Sequence, residues 1–317
     1  MRRFLTIRRA GYLALMLLAL YGILPHIPNL LISTSTLRAI NPYLVGLSVC
    51  FLGASYIFSA AEYCVLSNRR LPYLQTIIAQ MAATFADRLL PAGSGALGVN
   101  YLYLRQQQFS GPRAIAIVAT NNILGVIGHI VLLTVALVTF PSVLRSVRRP
   151  EVHIWQWALG VGILTCLVLA ILVVVPRLRS YLQKLLSETF RALLDYWHQP
   201  LTTLPALALS MGLTLSYVAC LYTAALACGV TITPLQAFIA LTVGVTAATI
   251  VPTPGGLGGA ETGITVSLVT FGLHTHNAFT VALLYRLITF WLALVTGAVA
   301  FIWLEQRNYI QLPRHTE

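Results

Sequence analysis

Apolar stretches about as long as a lipid bilayer is thick recur along this chain and restrict what it can fold into. A run of about 20 apolar residues crosses the hydrocarbon core of a membrane as a helix. With 58% hydrophobic and 9% charged residues, the chain has too little polar surface to hide such runs in water. We therefore predict an all-α polytopic membrane protein, with residues 1–317 forming a single integral membrane domain. Six uninterrupted spans are predicted, at residues 10–24, 43–66, 114–140, 154–175, 201–228 and 278–304.

Two further apolar segments are broken near their middle by proline and glycine. Segment 75–104 contains Pro91-Ala92-Gly93-Ser94-Gly95, and segment 235–271 contains Pro252-Thr253-Pro254-Gly255-Gly256. Irregular backbone inside a bilayer needs protein or water as a hydrogen-bond partner, so broken helices of this kind often line a site. We predict two re-entrant hairpins. The alternative is that each break is an ordinary turn outside the membrane.

The two broken segments also align with each other. Repeat one would cover residues 73–140 and repeat two residues 234–304, with one hairpin entering from the cytoplasm and the other from outside. This is an inverted repeat, the architecture in which transporters hold a central site between two halves. The aligned pairs are Pro91 with Pro252, Gly95 with Gly256, Gly98 with Gly259 and Asn100 with Glu261.

Positive charge indicates the orientation of the chain in the membrane. Four arginines lie within residues 2–9, before the first span. If that end is cytoplasmic, most of the 20 Lys and Arg residues fall on the cytoplasmic side, as the positive-inside rule expects. We predict an inner-membrane protein with both termini in the cytoplasm. Residues 177–198 combine apolar positions at helical spacing with basic residues, which predicts an amphipathic helix on the cytoplasmic interface. The net charge of +12 therefore requires no nucleic-acid partner.

The second broken segment holds the sharpest candidate site. Glu261 follows the glycine cluster by one turn, and Arg286 lies about two turns into the next span. A helix N-terminus favours an anion, and a guanidinium binds a carboxylate or a phosphate. The pair could bind a lipid headgroup, or it could be a purely structural ion pair. The neighbouring glycines would allow close backbone approach to a ligand; they are Gly255, Gly256, Gly258 and Gly259.

The first broken segment has weaker candidates. Asp87 and Arg88 lie one turn before the break, where they could bind a ligand or satisfy freed backbone groups. Asn100 and Asn122 take the places of Glu261 and Arg286 in the first repeat. Glu62 lies near the positively charged end of its span, which predicts that its carboxylate reaches the cytoplasmic surface.

No catalytic, metal or cofactor site is expected. The cysteines have no paired spacing, and the one histidine pair, His274 and His276, has no acidic or cysteine partner nearby. Enzymatic chemistry would need a general base or clustered ligands, for which Glu261 and Asp87 are the available groups.

A family signature stands in the second broken segment. It is Val251-Pro252-Thr253-Pro254-Gly255-Gly256-Leu257-Gly258-Gly259-Ala260-Glu261, followed by Phe271-Gly272 and Leu284-Tyr285-Arg286-Leu287. This pattern resembles the lysylphosphatidylglycerol synthase transmembrane family, the flippase-like domain of multiple peptide resistance factor proteins. Leu90-Pro91-Ala92-Gly93-Ser94-Gly95 resembles the first hairpin motif of that family. Asn100 departs from the family pattern, in which a charged residue often stands just after the first glycine cluster.

The resemblance implies a stand-alone lipid-translocating domain, since no synthase domain follows Leu304. The leading hypothesis is a lipid flippase or lipid-headgroup transporter whose substrate is a phospholipid or a lipid-linked headgroup. Two alternatives stay open. One is a membrane-embedded enzyme acting on a lipid-linked phosphate or sugar, and the other is an accessory scaffold for a separate synthase or glycosyltransferase. The lipid bilayer is a partner in every case, and a homo-oligomer is possible.

Overall fold

The computed structural model describes residues 40–90, 94–139, 199–250 and 253–310, which are helical and contain no β-strand. The predicted spans 10–24 and 154–175, and the predicted amphipathic helix 177–198, lie outside the described residues. In chain order the helices are α1 (Pro42–Ser67), α2 (Tyr73–Leu89), α3 (Ser94–Gln106), α4 (Gly111–Thr139), α5 (Pro200–Ala227), α6 (Pro234–Ile250), a 3₁₀ turn (Pro254–Gly256), α7 (Gly259–Thr270), α8 (Thr275–Arg286), a π-helical stretch (Leu287–Leu292) and α9 (Ala293–Gln306).

Four helices of the described part are long and apolar enough to cross a membrane. They are α1, α4, α5 and the continuous helix from α8 to α9, and they coincide with four of the six predicted spans. Large apolar side chains stand exposed on their outer faces, with Val126 at 61%, Val138 at 75% and Val299 at 66%. Such faces suit lipid and would be unfavourable in water. The chain is therefore a multi-pass membrane protein.

Local sequence explains where α1 begins and ends. The side chain of Asn41 accepts a hydrogen bond from the Tyr43 N–H at 3.0 Å, and Pro42 occupies the first turn, where its missing N–H costs nothing. At the other end Asn68 adopts the left-handed conformation with φ 50°, and its N–H donates to the carbonyl of Val65. Asparagine tolerates that conformation better than most residues.

Small residues and hydroxyls bring the long helices together. On α1, the Ser48 hydroxyl donates to the Cys220 carbonyl of α5 at 2.7 Å. Gly128 of α4 lies against Met211 of α5, and Gly297 of α9 lies against the backbone of Met81 in α2. Close packing of this kind is typical of membrane helices, which gain little from the hydrophobic effect among lipid tails.

The two broken segments form helical hairpins of similar dimensions. In each of them the first helix, α2 or α6, has 17 residues, a length of about 26 Å. The returning helices α3 and α7 have 13 and 12 residues. Each hairpin packs on itself through glycines, Gly95 against Ala86 in the first and Gly263 against Gly244 in the second. In each case a long apolar helix follows.

Candidate functional site

The tip of the second hairpin is built from glycines in the left-handed region. Gly255, Gly256 and Gly258 have φ angles of 56°, 66° and 84°, which residues with a Cβ adopt only with strain. Gly255 also has no room for a side chain. A Cβ there would meet the ring of Phe290 and would lie 3.2 Å from the carbonyl oxygen of Arg88, at the end of α2. The tip of the second hairpin therefore touches the first hairpin.

Glu261 lies in the first turn of α7 and uses both carboxylate oxygens. Oε2 accepts a hydrogen bond from the N–H of Gly258 at 2.7 Å, which caps the helix. Oε1 accepts from Nε of Arg286 at 2.7 Å, so the predicted ion pair is present. The carboxylate is stabilised by the helix N-terminus and by the guanidinium together.

Arg286 is almost completely enclosed, with 5% of its surface exposed. Besides the bond to Glu261, its Nη2 donates to the carbonyl of Gly255 at 2.9 Å. Its guanidinium carbon lies 4.6 Å from the centre of the Phe290 ring, within cation–π range. One arginine thus joins α7, the glycine turn and the helix that follows the hairpin.

A second arginine approaches the same ring from the first hairpin. Arg88 lies 5.8 Å from the Phe290 ring centre, and its Nη2 donates to the carbonyl of Thr289 at 3.2 Å. Its Nε is buried without a hydrogen-bond partner. Beside it, the carboxylate of Asp87 lies close to the backbone of Ala96 in α3, and its Oδ1 has no hydrogen-bond partner. The two arginines therefore flank one aromatic ring where the hairpins meet.

The π-helical stretch makes this meeting possible. The N–H of Ala293 would donate to the Thr289 carbonyl in a continuous α-helix, but here it donates to the carbonyl of Phe290. The Thr289 carbonyl, which does not receive the Ala293 N–H, accepts from Nη2 of Arg88. π-helical turns inside α-helices frequently occur at functional sites. Sequence reasoning missed both Thr289 and Phe290, since nothing in Leu287–Leu292 marks a π-helix.

The model of the family described as "Lysylphosphatidylglycerol synthase TM region" matches residues 10–297. The chain belongs to this family. The match covers both hairpins and the predicted resemblance is confirmed, which associates the protein with a membrane, lipid-related function. No protein of curated function matches the sequence.

Other predicted site residues of this family member lie apart from the Glu261–Arg286 pair. Asn100 is buried in α3, where its Oδ1 accepts from Nε2 of Gln80 at 2.9 Å. The hydroxyl of Ser59 on α1 donates to Oε1 of the same glutamine at 3.0 Å.

Asn122 is exposed on α4 and donates to the Val118 carbonyl of its own helix. Gly259 is buried at the start of α7, against Ala247 of α6.

The prediction for Glu62 is wrong. Its side chain does not reach the surface: the residue is 1% exposed, and Oε1 has no hydrogen-bond partner. The helical face that carries it is covered by α4 and α5, which contribute Asn121 and Ser210 as polar neighbours. From the sequence, Glu62 could be placed near the charged end of α1, but the face of α1 that other helices cover could not be predicted.

Within the four described ranges, no three His, Cys, Asp or Glu residues come close enough together to hold a metal ion. The charged groups that come together near the hairpin tips are two arginines and two carboxylates on a largely apolar background. That combination can bind and orient an anionic group such as a phosphate.

Proposed function

We propose that the protein is a lipid flippase or lipid-headgroup transporter of the inner membrane. A phospholipid or lipid-linked headgroup would pass through a polar region between two re-entrant hairpins, while its acyl chains stay in the bilayer. The observation that carries the proposal is the meeting of the two hairpin tips at Arg88, Arg286 and Glu261 around the Phe290 ring. Ionisable groups within membrane segments are costly, and they commonly mark substrate pathways.

The helix lengths support the re-entrant arrangement. The hairpin helices α2, α3, α6 and α7 have 17, 13, 17 and 12 residues, below the roughly 20 residues that cross a hydrocarbon core. Each hairpin enters and returns on one side in this proposal. With the spans predicted at 10–24 and 154–175, the chain then has six spans and two hairpins that enter from opposite sides.

The arginines supply the chemistry for a phosphate-bearing headgroup. Arg88 has a buried Nε without a partner and a relatively long bond of 3.2 Å from Nη2 to Thr289. A phosphate oxygen would give it a charge-assisted hydrogen bond in its place. Arg286 is held more firmly, by Glu261 and Gly255. We therefore assign headgroup capture to Arg88, and assign to the Glu261–Arg286 pair the positioning of the second hairpin tip.

Reconstitution of the purified full-length chain in liposomes tests the proposal. Lipids with phosphoglycerol, amino-alcohol and polyprenyl-phosphate headgroups would be assayed for movement between leaflets. We expect Arg88→Gln to slow movement of the transported lipid at least about tenfold, equivalent to about 1.4 kcal/mol. Arg70→Gln, which removes the same charge at an exposed position after α1, is the matched control and should keep the wild-type rate.

Two results would contradict the proposal. One is that the wild-type chain and Arg88→Gln both leave every tested lipid in its original leaflet. The other is the appearance of a chemically new lipid during the assay, because an enzyme changes the molecule and a flippase changes only its leaflet. A scaffold role predicts no movement, together with recovery of function in cells by Arg88→Gln.

The orientation is tested separately by thiol labelling. Ser110 is exposed between α3 and α4, where the first hairpin returns. A single cysteine at Ser110 in a cysteine-free chain should react with a membrane-impermeant reagent from the cytoplasmic side. Labelling from the opposite side would exclude a re-entrant first hairpin with a cytoplasmic N-terminus.

A further inference from the structure

Glu62 is a buried carboxyl group that the proposed lipid pathway does not use. It lies in α1, five residues before the end of the helix at Ser67, which places it about 7–8 Å from that end. The residue is 1% exposed, and no described residue forms an ion pair with it. Its Oε1 has no hydrogen-bond partner at all.

Among the described residues, the side chains beside Glu62 are polar but uncharged. Asn121 of α4 and Ser210 of α5 are the side chains that act on its charge, and neither of them titrates. Tyr63 is the titratable neighbour on α1 itself. A carboxylate without a countercharge is expensive in such a place, whereas the neutral acid can donate one hydrogen bond and accept others. Burial without a countercharge therefore favours the neutral acid while these helices are packed together.

The cover over Glu62 is an interface between helices that pack through small residues. Gly125 of α4 lies close to Ser210 of α5. A Cβ at Gly125 would be 3.8 Å from the Ser210 hydroxyl oxygen. Gly128, one turn further along α4, lies against Met211 of α5. A small displacement of α4 or α5 away from α1 would let water reach the carboxyl, and ionisation would then become favourable.

The helix that carries Glu62 is also connected to the first hairpin through polar groups. Ser59 lies one turn before it on α1 and bonds to Gln80 of α2, which in turn bonds to Asn100 of α3. A shift of α1 relative to α4 and α5 would thus be transmitted to the hairpin that carries Arg88.

We propose that Glu62 is an intramembrane proton-binding site whose loading is linked to the packing of α4 and α5 against α1. Binding of one proton from water to the carboxylate favours the closed packing, and release of that proton to water favours the open one. By linkage, opening of this interface depends on pH. A proton gradient drives the conformational cycle when Glu62 takes up its proton from one side of the membrane and releases it to the other. This coupling rests on the proposed lipid transport, but the proton binding itself does not.

Infrared difference spectroscopy of the full-length protein in membranes tests the proton site directly. The neutral acid gives a C=O stretching band that the carboxylate lacks. We expect a band that disappears as pH is raised and is absent in Glu62→Gln, but is retained in Glu305→Gln, which changes a carboxylate near the end of α9. Ser210→Ala should move its frequency, because the hydroxyl lies beside the carboxyl. The proposal is overturned if no Glu62-dependent band is present, or if the band does not respond to pH.

Lipid movement under an imposed pH gradient tests the coupling. For one proton per lipid, a gradient of one pH unit should shift the leaflet distribution of the transported lipid by up to about tenfold. Glu62→Gln should show the same distribution with and without the gradient. Equal shifts in both proteins would overturn the coupling. If no lipid moves at all, the transport proposal and its coupling fail together, and the infrared titration still decides whether Glu62 binds a proton.

Discussion

The Glu261–Arg286 pair should be a major source of stability at the second hairpin tip. Arg286→Met removes the guanidinium but keeps an apolar chain of similar length, and Glu261→Gln removes the carboxylate charge. The side chains of the pair are 6% and 13% exposed for Arg286 and Glu261, so either single change leaves a poorly solvated charge without its partner. Breaking a buried pair in this way costs about 3–5 kcal/mol, whereas exposed pairs contribute about 0–1 kcal/mol.

The contacts on each side explain the expected size of the effect. Arg286→Met loses the 2.7 Å bond to Glu261 and the 2.9 Å bond to the Gly255 carbonyl. Glu261→Gln keeps a side-chain oxygen that can still accept from the Gly258 N–H, but its NH₂ group would face the N–H groups of Arg286. Each hydrogen bond to a charged group is worth about 1.5–3 kcal/mol. Both single variants should therefore be strongly destabilised.

A double-mutant cycle separates the pair from the individual side chains. Unfolding free energies would be measured for the two single variants and the double variant in mixed detergent micelles. We expect the double variant to lose at least about 1.5 kcal/mol less than the sum of the single losses, because it contains no unpaired buried charge. Additive losses, or single losses below about 1 kcal/mol, would refute a buried, energetically coupled pair.

Three further predictions concern the packing of the helices and the Phe290 ring. Gly297→Ala should destabilise the protein by about 1–3 kcal/mol in the same unfolding assay, because a Cβ would lie 2.5 Å from the Met81 carbonyl oxygen. Gly46→Ala is the control and should leave the stability unchanged, because no atom lies within 4 Å of a Cβ at Gly46. Ser48→Ala should cost about 1 kcal/mol through loss of the bond to the α5 backbone; no change would mean that the bond contributes nothing. Phe290→Leu should weaken both arginine contacts and slow lipid movement with little loss of helicity by circular dichroism, and a wild-type rate would exclude a role for the ring.

Part of the site could be predicted because it depends on neighbours in the chain. The glycine cluster directly precedes α7, so Glu261 had to lie in the first turn of a helix, where a carboxylate caps free N–H groups. Arg286 is the last residue of α8, a helix of the same length as α7 that follows it after a short turn, so the chain can return to the level of Glu261. The hypotheses of transport, of an inverted repeat and of six spans remain predictions that the experiments above address.

Other parts could not be predicted, since they depend on contacts between distant segments. The sequence places Arg88 near the first break but does not say that it faces Thr289, two hundred residues along the chain. Asn122 was expected to correspond to Arg286, yet it lies on an exposed face of α4. A helix that is apolar all round has no pattern that separates a face toward lipid from a face toward protein.

The amino-acid sequence alone determined that this chain lies in a membrane, where its long helices are, and where two of its apolar segments must break. These properties follow from the length of apolar runs and from the backbone chemistry of proline and glycine, which act locally. Only the tertiary structure decided that the two hairpin tips meet around Phe290 and that Glu62 is enclosed by α4 and α5. Those features depend on how helices pack, and in a bilayer the apolar character of a side chain does not say whether lipid or another helix covers it.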